Sequence, residues 1–217
     1  MFRQPTLCLN TAEHRNLRRF ADLTVALCPS PRVLIVGRGS DELPELSGQL
    51  LNLDLSPGPE VHLCGDVVRL PFQSGTFDGV VAKAVLEHVV NPWGAVQELH
   101  RILRPGGYCY VEVPFLQPFH PAPGDHQRFT QSGLAHLMSG FHQMDLGLCV
   151  GPTAALLWTL QVYLSLLLSF NQTRLFNGWL LVFGYVLSPL KYLDRLAVRW
   201  RHADRIASGF YYLGQKL

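Results

Sequence analysis

Residues 76–113 read TFDGVVAKAVLEHVVNPWGAVQELHRILRPGGYCYVEV, and this stretch decides the fold. Phe77 to Ala82 is a short apolar run with two valines, the pattern of a buried strand. Asn91-Pro92 then opens a helix. The asparagine side chain can cap free amides, and proline suits the first turn because its missing N–H would be unpaired there. Ala95, Leu99, Ile102 and Leu103 share one face of that helix, which the pattern stops at Pro105-Gly106-Gly107. Tyr108 to Val113 is again a strand.

The alternation extends upstream. Arg32 to Gly37 is a β-branched run ending in glycine, Leu50 to Asp54 reads as another strand, and Val61 to Cys64 as a short one. Strands alternating with helices give an α/β fold with a mostly parallel sheet covered on both faces. Ligands of such sheets bind beyond the carboxyl ends of the strands, where strand order reverses. Four loops line up there. Gly37-Arg38-Gly39 lets backbone approach a ligand closely, although a plain turn also explains it. Asp54 can accept both hydroxyls of a ribose, or can be a solvated turn acid before Ser56-Pro57-Gly58. Asp66, in Gly65-Asp66-Val67, can accept from an exocyclic amine. Ala82-Lys83-Ala84 is the fourth.

Taken together, G-D-x-x-x-L-P-F at 65–72, T-F-D-G-V-V at 76–81, V-L-E-H-V at 85–89 and E-L-H-R-I-L-R-P-G-G at 98–107 resemble a class I S-adenosylmethionine (SAM) dependent methyltransferase of type 11 over roughly residues 30–145. The resemblance implies a Rossmann-like three-layer sandwich with a seven-stranded sheet. It implies SAM as cofactor, with Gly37 and Gly39 beside its methionine part, Asp54 on the ribose, Asp66 and Val67 at the adenine, and Ala82 and Lys83 along the other edge. Asp78 would brace this half or order the turn before its strand. The family's acidic residue two positions before the first glycine is Ile35 here, its third glycine is Asp41, and Pro44 truncates or removes the usual first helix.

After the last strand comes a loop with four prolines, Val113 to Thr130. It is similar to a loop in a subgroup of these enzymes whose P-F…H-P…D…R-F-T pattern precedes a G-L…L…G-F helix. Methyl transfer needs mainly the positioning of two reactants and, for an oxygen acceptor, a base within reach. His120 and His126 are the base candidates, since histidine as a residue type titrates near neutrality; each can equally be a loop histidine bonded to backbone. Asp125 and Arg128 either brace the loop or meet the acceptor. Glu87-His88, on a short helix, reads as packing or capping.

The last third differs in composition. Leu146 to Thr173 and Leu175 to Leu190 contain no charged residue and no histidine, and a basic tail follows with Lys191, Arg195, Arg199, Arg201, Arg205 and Lys216 against Asp194 and Asp204. Ala154–Phe170 and Gly178–Leu190 are both shorter than the roughly 20 residues of a full span. They fit buried core helices, a hairpin dipping into one leaflet, or a tightly packed pair of spans. Trp158, Tyr163, Trp179 and Tyr185 suit a bilayer interface, and Lys191, Arg195 and Arg199 at helical spacing suit anionic headgroups. The expected organisation is a SAM-binding domain over 1–150, an apolar helical insertion over 151–206, and a final strand over 207–217 that returns to the sheet.

The whole chain of 217 residues is 48% hydrophobic and 16% charged with a net charge of +2, which excludes disorder and argues against nucleic acid as a partner. Five cysteines without a C-x-x-C pair imply reduced thiols and no metal site. Met1 to Arg19 holds no apolar run of signal-peptide length, so a cytoplasmic protein is expected, peripheral at the inner face of a membrane. The expected reaction is O-methylation of a glycan, lipid-linked or other amphipathic acceptor. The rival reading is a non-catalytic methyltransferase-like binding or assembly module at a membrane.

Overall fold

A computed structural model describes residues 5–37, 46, 48–120 and 123–217. The chain divides into two units. One comprises Glu13–Pro114, His120–Gly147 and Phe210–Leu217, and the other Met1–Ala12, Phe115–Phe119 and Leu148–Gly209.

The first unit is built on a seven-stranded sheet with strands β1 (Arg32–Val36), β2 (Gln49–Asp54), β3 (Leu63–Cys64), β4 (Phe77–Lys83), β5 (Leu103–Pro114), β6 (His142–Val150) and β7 (Gly209–Gln215) in the order β3-β2-β1-β4-β5-β7-β6. Strands β1 to β5 pair in parallel, and the sheet as a whole is mixed. Parallel strands must be buried on both faces, and Val33 to Val36 and Phe77 to Ala82 accordingly leave almost no surface exposed. The order reverses at β1, which has β2 on one side and β4 on the other. That reversal opens a crevice above the strand ends.

Helix α1 (Glu13–Leu27) turns Leu17, Phe20, Ala21 and Thr24 inward at helical spacing. The Phe20 ring lies 2.6 Å from where a Cβ on Gly79 would stand, so only glycine fits that point of β4. Helix α2 (Pro92–Ile102) begins as its sequence requires, with the Asn91 side chain accepting from the Gly94 amide at 3.0 Å. Its end differs from expectation. The helix closes at Ile102 and β5 begins at Leu103, so Arg104-Pro105-Gly106-Gly107 lies within the strand rather than ahead of it. Phe77 pairs with Leu103 and Gly79 with Tyr108, so five residues are taken up against two. The irregularity uses the left-handed backbone of Gly106 (φ +83°), and a Cβ on Gly107 would meet two carbonyl oxygens at 3.0 Å. Helix α3 (Gln131–Leu137) is capped by Thr130.

In the second unit, α4 (Pro152–Leu168) and α5 (Thr173–Leu187) form an antiparallel pair inverted in polarity. The inward face of α4 carries Ala154, Ala155 and Leu157 but also Gln161 and Ser165, whereas Leu156, Tyr163, Leu166 and Leu167 are 55–64% exposed. Gln161 Nε2 donates to the Leu180 carbonyl of α5 at 2.7 Å, and Gly184 is the one fully buried residue of α5. The basic run that follows is not one continuous α-helix: it is a 3₁₀ segment, Ser188–Leu193, then one turn, α6 (Asp194–Ala197). Lys191 and Arg199 therefore do not share a helix face. Asp194, at the start of that turn, is fully buried; its two oxygens accept from the Thr153 and Ala154 amides at 2.8 and 2.9 Å and so cap α4 from a distant turn. Among the described residues no helix is long and apolar enough to cross a membrane.

Candidate functional site

A cavity of about 890 Å³ opens at the carboxyl ends of β1 to β4, where strand order reverses. This lies within the range for small-molecule sites. Each wall comes from a strand end: Gly37 after β1, Asp54 to Ser56 after β2, Gly65 to Val68 after β3, and Lys83 to Val85 after β4, with His88 to Asn91 and Pro123 completing it.

Gly37 adopts φ +91°, and its amide donates to the Leu53 carbonyl at 2.9 Å. A Cβ there would stand 2.6 Å from Val85 Cγ2. Gly39 lies outside the described residues, as do Arg38, Asp41, Glu42 and Pro44. Asp54 and Asp66 both line the cavity. Each uses Oδ1 to accept from an amide two residues on, Ser56 at 2.9 Å and Val68 at 3.1 Å, which fixes the carboxylate on a rigid turn. Val67 lines the same wall and is buried. Ala82, in contrast, is fully buried within β4 and does not border the cavity; Lys83, Ala84 and Val85 form that wall. The Lys83 amine is ion-paired with Glu13 of α1. Ala84 sits at φ +50°, uncommon for a residue with a Cβ, and such outliers concentrate at ligand sites. Asp78 stands at the opposite end of β4, where it accepts from the Arg32 amide at 2.7 Å and pairs with Arg104 at 2.7 Å; it ties strand starts together.

The loop after β5 holds a compact polar cluster. Arg128 grips Asp125 through both terminal nitrogens, and Asp125 Oδ2 also accepts from the His120 amide at 2.9 Å. This fork, with the side chain of Asp125 only 1% exposed, holds its carboxyl well below the usual carboxylate range. Asp125 and Arg128 therefore brace the loop. His120 Nδ1 lies 3.6 Å from Asp125 Oδ2 and 3.4 Å from an Arg128 nitrogen. His126 is exposed, and its amide donates to the Glu87 carbonyl at 2.8 Å.

Glu87 and His88, read from the sequence as packing or capping, lie beside this cluster. His88 lines the cavity, its ring stands edge-on to His120 with centroids 5.3 Å apart, and its Nδ1 is hydrogen-bonded to the Gly124 carbonyl. Glu87 is buried, Oε2 has no hydrogen-bond partner, and burial pushes its carboxyl up to about 7 against the pull of His88 and Arg128. The available signal was the acid-histidine pair itself, immediately after a strand that ends in the ligand crevice.

Residues 14–111 match the family described as "Methyltransferase domain". An uncharacterized methyltransferase of Mycobacterium sp. (strain KMS) is 33% identical over 98 residues, 42% of this chain and 36% of that protein. A demethylmenaquinone methyltransferase of Mycolicibacterium vanbaalenii is 33% identical over 117 residues, 48% of this chain and 50% of that protein. The chain thus spans half or less of these two relatives. Among solved structures, a sarcosine dimethylglycine methyltransferase described as putative, from Galdieria sulphuraria, superposes with a TM-score of 0.59 at 12% identity, covering 97% of this chain and 92% of that one. A Burkholderia thailandensis 1,6-didemethyltoxoflavin-N1-methyltransferase with bound S-adenosylhomocysteine superposes with a TM-score of 0.54 at 15% identity, covering 94% and 80%.

Proposed function

We propose that this chain is a class I SAM-dependent methyltransferase and that it methylates an oxygen of a glycan, lipid-linked or other amphipathic acceptor at the surface of a membrane; the match of residues 14–111 and the likeness of fold support the reading. The observation that carries the cofactor half is the pair of carboxylates, Asp54 and Asp66, on neighbouring strand ends around a cavity that Gly37 keeps free of a Cβ. These residues fit SAM. Acceptor-only groups suit ribose hydroxyls and an adenine amine, and Val67 offers the ring an apolar wall.

When bound, SAM supplies a methyl group on a positively charged sulfur. The chain's residues supply position. Asp54 would hold the ribose, Asp66 and Val67 the adenine, and the backbone at Gly37 the methionine end. Such fixation removes much of the entropic barrier of a two-reactant step. On the acceptor side, His120 is held in place by the Asp125–Arg128 fork and would take the hydroxyl proton; His126 is the other candidate for that role.

The inverted helix pair supports an amphipathic acceptor and a membrane surface. Leucines point outward and glutamine inward on α4, the arrangement of helices solvated by lipid rather than water. Tyr192, Arg195, Leu196, Arg199 and Trp200 are all exposed just beyond them, joining aromatic and cationic groups as anionic interfaces require.

Calorimetry with SAM tests the enzyme, and sedimentation with phosphatidylglycerol vesicles tests the surface. Absence of heat and of a thermal shift at millimolar SAM overturns the first reading; a protein left wholly in the supernatant overturns the second. Mass spectrometry of lipid and glycan extracts, with and without the active protein, identifies the acceptor by the mass of one added methylene.

A further inference from the structure

We propose that Glu87, His88 and His120 form a site for one divalent transition metal of the zinc type. One ligand atom from each lies within 4.8 Å of the other two, on the edge of the cavity that His88 lines. Two histidines and a carboxylate are a common set for such ions, and three protein ligands leave a fourth position open.

Three observations converge. First, the Glu87 side chain is buried, with the residue 1% exposed, and Oε2 has no hydrogen-bond partner. A buried, unsatisfied carboxylate oxygen is expensive, and a cation removes that penalty. Second, the His88 imidazole is oriented from outside the cluster: its Nδ1 is engaged by the Gly124 carbonyl. Histidines that bind metal through one ring nitrogen commonly have the other held by a carbonyl in this way, which fixes tautomer and ring direction. His120 Nδ1 is turned toward the Asp125–Arg128 pair, 3.4 Å from an Arg128 nitrogen and 3.6 Å from Asp125 Oδ2. Third, the spacing is close to what an ion needs. His88 Nε2 lies 3.9 Å from Glu87 Oε1, and ligands on a tetrahedral zinc stand roughly 3.3 Å apart. Side-chain rotation of about an ångström closes the difference.

Cysteine spacing gives no sign of this site. Its ligands come from the 3₁₀ turn Leu86–His88 and the loop after β5, which only the fold brings together. An open position beside the cavity would anchor an oxygen of the acceptor, favouring acceptors with adjacent hydroxyl or carboxylate oxygens; with His120 on the ion, the hydroxyl proton goes to His126, the other base candidate. That role rests on the methyltransferase reading; metal binding does not.

The test is titration of the chelator-stripped full chain with Co²⁺, followed by its visible d–d bands, then displacement by Zn²⁺ in the calorimeter. One saturable equivalent is expected, weakened about 100-fold or more in Glu87→Gln and in His120→Ala. His120 lies on a half-exposed loop, so its variant remains informative if the buried glutamate proves necessary for folding; thermal melting checks both. No cobalt bands in the wild type, or saturable binding unchanged in His120→Ala, overturns the site. The same samples are titrated with SAM. Metal bound without SAM defeats the methyltransferase reading alone, and SAM bound without metal defeats the site alone.

Discussion

Two carboxylates show how differently single residues of this chain are read. Asp54 is proposed as a cofactor contact because it lines the cavity, braced on its own turn. Asp54→Ala is expected to weaken SAM binding roughly 10- to 100-fold, about 1.4–2.7 kcal/mol, with the melting temperature of the free protein nearly unchanged. Calorimetry and a thermal scan measure the two sides, and an unaltered affinity removes Asp54 from the ribose. Glu98, from the E-L-H-R motif, has a structural role. Its oxygens take Arg101 in a fork at 2.6 and 2.8 Å and the Leu70 amide at 2.8 Å, while Arg101 donates on to the Leu70 and Phe72 carbonyls. The L-P-F and E-L-H-R motifs are thus two halves of one clamp. The Arg101 hydrogen bonds lower the Glu98 pKa. A carboxyl depressed in the folded state contributes stability above its unfolded value of about 4.3 and loses it as pH falls through the folded value. Glu98→Gln should therefore cost about 1–2 kcal/mol near neutrality, and the gap to wild type should close in acid. Denaturant melts at pH 7 and pH 3 decide this; a gap that persists at pH 3 contradicts it.

At the scale of elements, α4 illustrates a helix whose N-terminus is completed from elsewhere. Gly151 precedes it with no side-chain cap, and the buried Asp194 supplies both acceptors from forty residues away in sequence. Asp194→Ala leaves two amides unsatisfied and is expected to cost about 2–4 kcal/mol, with Asp194→Asn recovering part of it. Hydrogen exchange at the Thr153 and Ala154 amides reports the change directly, and unchanged protection would show that the cap is dispensable. The sequence showed the apolar core of α4 but could not show this partner, because a cap so remote has no local spacing to recognise. Helix α1 went unread because Met1 to Arg19 was read only for a run of signal-peptide length, whereas its inward face is set by Phe20 meeting Gly79.

For the whole molecule, the outward leucines of α4 are the feature that water does not favour. Leu166→Gln combined with Leu167→Gln is expected to leave the fold intact, since both side chains are more than half exposed, and to lower partition onto anionic vesicles at least tenfold. Co-sedimentation measures it, and undiminished partition would move the membrane contact elsewhere. The sequence by itself determined the parallel strands β1 to β5, the returning strand β7 and the strand ends that border the cavity, because alternating apolar runs and glycine-bounded turns are local signals with fixed periods; β6 (His142–Val150) and the mixed sheet that results were not read from it. It also determined the candidate cofactor residues Asp54, Asp66 and Gly37, each adjacent to a strand it could identify. Only the tertiary structure decided that Ala82 is core, that Asp125 and Arg128 brace each other, and that Glu87, His88 and His120 converge. Burial, hydrogen-bond satisfaction and proximity between loops more than thirty residues apart arise from packing, and no spacing along the chain encodes them in readable form.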